Sequence, residues 1–119
     1  MISIDERKAI LHRLVAAVKT KRPQNVLAII NATGITFRTN ICGMTASNYL
    51  GQEADDELRV FCLQHPAFCM DFDQYAKGVG MSGNQNYAEI LKTQHYAQID
   101  WIAQGAAEGG HINYAEMLR

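Results

Sequence analysis

Proline is nearly absent from this chain: only Pro23 and Pro66 interrupt it. Cysteine is scarce too. Cys42, Cys62 and Cys69 are too few and too scattered to staple a small fold, and an odd count fits a reducing compartment. No apolar run approaches the roughly 20 residues that span a bilayer. The opening stretch, Ile2-Ser3-Ile4-Asp5-Glu6, is acidic where a secretory leader is basic. Charge of either sign is not in excess. Eleven basic and twelve acidic side chains leave a net charge of −1, which argues against a nucleic-acid footprint and against a polybasic membrane anchor. With 119 residues the chain has room for one domain with its own core.

What is present is helical periodicity. Ile10, Leu11, Leu14, Val15 and Val18 form one apolar stripe, behind an N-cap candidate, Ser3, with Glu6 three residues on. Pro23 fits the first turn of a second helix, which Gly34 ends. Ile35 to Cys42 is β-like in composition and is expected to form a short extended finger closed by Gly43. Thr45 opens a short helix to about Glu53. Asp55 or Asp56 opens the next, which Pro66 stops. Further helices are expected from Asp71 or Asp73 to about Met81, from Asn84 to Lys92, from Gln98 or Asp100 to Gly109, and from Ile112 to Leu118.

The most informative feature is self-similarity. Residues 73–91, DQYAKGVGMSGNQNYAEIL, match residues 100–118, DWIAQGAAEGGHINYAEML, at nine of nineteen positions, a shift of 27. Such a period marks stacked helix pairs, each needing a neighbour to bury its apolar face. Gly83 and Gly110 fall at the turn within each pair and are expected to take positive φ.

Gly105-Ala-Ala-Glu-Gly-Gly-His111 through Leu118 resembles the core of an ankyrin repeat, and Gly34 to Leu63, with Asn40, Gly43, Met44, Thr45 and Ala46, resembles a fuller unit. Ser47-Asn48 and Ala54-Asp55 depart from that pattern. The period of 27 falls short of the roughly 33 of a full repeat, and the shortened form is similar to repeats in effector proteins of intracellular bacteria. Aligning by Gly51, Gly78 and Gly105 differs by about two residues from aligning by Thr45-Ala46, and both registers stand open. The resemblance implies an all-α, ankyrin-like solenoid in a single domain over 1–119. It divides into a degenerate helix pair (3–33), an ankyrin-like unit (34–65) with a β-like finger near 35–42, and two shortened repeats (71–94 and 98–119). A chain ending inside its last helix is expected to be an N-terminal piece of a longer protein.

The resemblance also implies a non-enzymatic protein–protein interaction module, cytoplasmic or delivered by a bacterium into a host cytoplasm. The expected partner surface joins Asn48 and Gln52, then Gln74, Lys77 and Met81, then Trp101, Gln104 and Glu108. Trp101 is the sole tryptophan, a residue type enriched at binding hot spots. No catalytic, cofactor or metal site is expected. Cys69 and His65 lack further ligands, and the string Gly78-Val-Gly80-Met-Ser-Gly83 reads as helix packing because no strand precedes it. His111 matches the turn histidine of ankyrin repeats, whose ring bonds nearby backbone. Two alternatives stay open: a small cysteine-dependent enzyme using Cys42 with His12, His65 or His95, and a module that self-associates through its C-terminal helix.

Overall fold

The computed structural model describes residues 2–119. Among them the chain forms eight α-helices and no sheet: α1 (Ile4–Lys19), α2 (Pro23–Thr33), α3 (Ala46–Gln52), α4 (Asp56–Leu63), α5 (Phe72–Ser82), α6 (Gln85–Gln94), α7 (Ile99–Glu108) and α8 (Ile112–Leu118), with a 3-10 turn at Pro66–Phe68. The starts follow from side chains that accept otherwise orphaned N–H groups. Ser3 accepts from Glu6, Thr45 from Asn48, Asp55 from Glu57 and Leu58, Asp71 from Asp73 and Gln74, and Asn84 from Tyr87. Gly34 and Gly83 close α2 and α5 in the left-handed region, at φ 72° and 74°, and Gly110, just past α7, has φ 85°.

The odd-numbered helices α1, α3, α5 and α7 lie side by side in chain order, and each even-numbered helix packs back on the one before it. The molecule is accordingly a slab of 42 × 29 × 18 Å. One core runs its length, from Leu11, Leu14 and Val18 through Leu50, Tyr75 and Val79 to Ile102.

From α3 onward, neighbouring odd helices meet backbone to backbone. A Cβ at Gly51 would overlap the Tyr75 carbonyl oxygen, one at Gly78 the Asn48 carbonyl, and one at Gly105 the Lys77 carbonyl. Gly78 and Gly105, 27 residues apart, thus face the preceding odd helix, whereas Gly51 faces the following one. Gly80 meets Ile102 in the same way, so the GxGxxG-like string serves helix contact.

The β-like finger expected near 35–42 is not a strand. The segment is a loop with turns and one isolated bridge between Ile41 and Met44. Its apolar residues are buried: Ile35, Phe37 and Ile41 enter the core. Its backbone is satisfied by other elements. Phe37 N–H donates to the Phe68 carbonyl at 3.2 Å, and Ser47 Oγ donates to the Phe37 carbonyl at 2.8 Å. Burial of alternate large side chains produced the strand-like pattern without a strand partner.

Candidate interaction surface

Along one side of the odd-helix row the side chains reach from helix to helix. Between α1 and α3, the His12 and Tyr49 rings lie 4.1 Å apart at their centroids, and Lys19 pairs with Glu53 at 2.8 Å. With Val15, Ala16 and Gln52 these groups line a depression of about 420 Å³. From there Gln52 Nε2 donates to Asn48 Oδ1 at 2.8 Å, and Asn48 Nδ2 approaches the Met81 sulfur at 3.6 Å, joining α3 to α5. Lys77 then pairs with Glu108 at 3.1 Å, joining α5 to α7.

The residues expected at a partner surface divide accordingly. Gln52, Gln104 and Glu108 are exposed, and Gln74, Lys77, Met81 and Trp101 are half-buried. Asn48 departs from the expectation: at 1 % exposure it is interior, held beneath Gln52 and Met81. Trp101 leans partly on the core. The Oε1 of Gln74 is buried and has no hydrogen-bond partner. His12 and Tyr49 extend this surface onto α1. Sequence reading missed them because their contact crosses 37 residues and neither belongs to the 27-residue match.

The cysteines and histidines do not converge. Cys42 is exposed at a turn with φ 53°, while His12 lies on Tyr49, His65 between Phe61 and Phe68, and His95 beside Arg59. Cys62 is buried, which pushes its thiol up to about 12. Among the described residues no group of three or more His, Cys, Asp or Glu is placed to hold a metal ion. His111 differs from its expected role. It makes no side-chain cap to α8, and its ring instead fills the space over Gly83, where a Cβ would come within 2.5 Å of Cε1.

A polar network on the even-helix side, buried at Arg59, Tyr75 and Tyr87 and open to solvent at Asp56, was not legible in sequence. Arg59, 5 % exposed, sends Nε and Nη2 to Asp56 Oδ1, each at 2.9 Å. The Tyr87 hydroxyl donates to the same oxygen at 2.9 Å, the Tyr75 hydroxyl lies 2.9 Å from that of Tyr87, and Arg59 Nη2 lies 3.3 Å from His95 Nε2. Burial pushes the Asp56 carboxyl up, but the bonds from Arg59 and Tyr87 outweigh it and hold the group below its ordinary value. Burial likewise drives the Tyr75 phenol far above its ordinary range, with the Tyr87 hydroxyl adding to the effect. Every polar atom named here is engaged by another, so the network ties α4, α5 and α6 together as a structural unit.

No family model, curated protein or solved structure matches this chain.

Proposed function

We propose that the chain is a protein–protein interaction module, an ankyrin-like array of helix pairs that recognises a partner protein across the odd-helix row. The observation that carries this reading is the run of cross-helix contacts on one side of the row, from His12 and Tyr49 through Gln52 and Met81 to Lys77 and Glu108. These contacts hold side chains from four helices in fixed relation, and a preorganised surface loses less freedom on binding. The array reading is supported by positions 27 apart in like settings: Gly78 and Gly105, each against the preceding odd helix, and Cys42, Cys69 and Tyr96 at left-handed junctions with φ 53°, 55° and 59°. By the resemblance to effector repeats, the partner is a host-cell protein met in a cytoplasm.

The test starts from a partner captured by the chain, identified and then purified. Trp101→Ala is expected to weaken its binding by at least about 2 kcal/mol, roughly thirtyfold, with Lys8→Ala as a control of little effect. Gln104→Arg, at an exposed neighbouring position, serves if Trp101→Ala unfolds the chain. Equal losses from the control and both surface variants would remove the odd-helix face as the binding site.

A further inference from the structure

The net charge of −1 conceals a strong asymmetry. Residues 2–33 carry six basic side chains against Asp5 and Glu6, a net +4, whereas residues 34–119 carry five basic and ten acidic ones, a net −5. Two of the six bases are committed within the chain: Lys19 to Glu53 and Lys21 to Glu57, both at 2.8 Å. Arg7, Lys8, Arg13 and Arg22 have no ion-pair partner among the described residues, and Arg7, Arg13 and Arg22 are exposed.

The far end of the slab is mildly acidic: residues 98–119 carry Asp100, Glu108 and Glu116 against exposed Arg119, a net −2, with Glu108 paired to Lys77. Glu89 on α6 is exposed and paired with Lys92 at 3.0 Å. Its counterpart 27 residues on is Glu116 of α8, which is exposed and unpaired among the described residues. On α5, the Lys77 carbonyl and Gly80 receive α7. Their counterparts on α7 are Gln104 and Ala107, beside exposed Asp100. Apolar surface accompanies these acids, with Met117 76 % and Ile112 54 % exposed.

We propose that the chain associates with further copies of itself head to tail, the basic helix pair α1–α2 of one copy receiving the acidic outer face of α7 and α8 of another. Charge complementarity selects this occupant. The cationic end would also attract a polyanion, but the net −5 over the rest of the chain repels one, whereas a second copy supplies acid to base and apolar Met117 and Ile112 for burial. The two faces are different surfaces at opposite ends, so the contact is heterologous and propagates into chains or closes into rings. Exposed ion pairs are individually weak and screened by salt, so the association is concentration-dependent and loosens as ionic strength rises. This inference does not depend on the odd-helix face binding a partner.

Sedimentation velocity and light scattering on the whole chain test it, over a concentration series at low and high salt. The mean mass is expected to rise with concentration at low salt and to fall towards the monomer at high salt. Arg7→Glu with Arg13→Glu, and separately Asp100→Lys with Glu116→Lys, are each expected to weaken association at least about tenfold. Mixing the two reversed variants is expected to restore it, because each then offers the charge that the other lacks. Thermal melts establish that both remain folded, and the salt series on the unaltered chain decides the matter if either does not. A monomer at every concentration, association that salt strengthens, reversed variants that associate like the parent, or a mixture that stays monomeric would each overturn the proposal. So would binding to heparin or to anionic vesicles by a chain that never self-associates.

Discussion

The Tyr87 hydroxyl donates to Asp56 Oδ1 at 2.9 Å, whereas the hydroxyl of Tyr114, its counterpart 27 residues on, is buried with no hydrogen-bond partner. Glu89 lies near enough to Tyr114 to disfavour ionisation of its phenol without closing that bond. The same side chain thus has opposite value in the two helix pairs. Removing a hydroxyl bonded to a carboxylate costs about 1.5–3 kcal/mol, whereas removing an unpartnered buried one is near neutral or stabilising. Tyr87→Phe is expected to lower the denaturant midpoint clearly, and Tyr114→Phe to leave it unchanged or raise it. Equal losses in urea unfolding would show that Tyr114 has found a partner in solution.

The glycines separate two kinds of cost. At Gly105 a Cβ would overlap the Lys77 carbonyl, so Gly105→Ala must push α5 and α7 apart, at about 1–3 kcal/mol. At Gly110 nothing lies within 4 Å, and the cost of Gly110→Ala is that of holding φ 85°, about 1 kcal/mol. Gly110→Asn should recover part of that loss, because asparagine tolerates the left-handed region, whereas Gly105→Asn should be worse than Gly105→Ala. Melting temperatures of the four variants check the ordering.

Acid stability should report on Asp56. Its carboxyl titrates lower in the folded chain than in the unfolded one, because Arg59 and Tyr87 bond the charged form. The stability it contributes is therefore fully present above the unfolded value, about 3.9, and is lost as pH falls through the lower folded value. His95, 3.9 Å from Asp56 Oδ1, adds cationic charge when protonated and favours the same ionised form. The gap in unfolding free energy between the parent and Asp56→Asn is expected to be constant near neutrality and to narrow below about pH 4. Parallel curves through the acid range would show that this pairing does not stabilise the fold.

Helix boundaries were legible because caps are local. Ser3, Thr45, Asp55, Asp71 and Asn84 each bond N–H groups two or three residues ahead, a distance that sequence displays directly. The segment 35–42 misled because burial of Ile35, Phe37 and Ile41 imitates strand alternation, while its hydrogen bonds go to Phe68 and Ser47. Asn48 misled in the other direction. Helical spacing set it beside Gln52, but only the approach of α5 shows that Met81 covers it. The Asp56–Arg59–Tyr87–His95 network spans up to 39 residues of sequence and has no period, so no local pattern announces it.

The glycine contacts bear on how the slab can deform. From α3 to α7 backbone meets backbone at the glycines, beside a shared side-chain core, which leaves little room to shear there. That part behaves as a stiff plate, since close-packed backbone has little compliance. Between α1 and α3, among the described residues, no glycine brings the backbones together, and side chains carry the contact, among them a ring pair and an ion pair beside an open depression. Strain on the slab is therefore expected to be taken up at that seam before it reaches the glycine contacts.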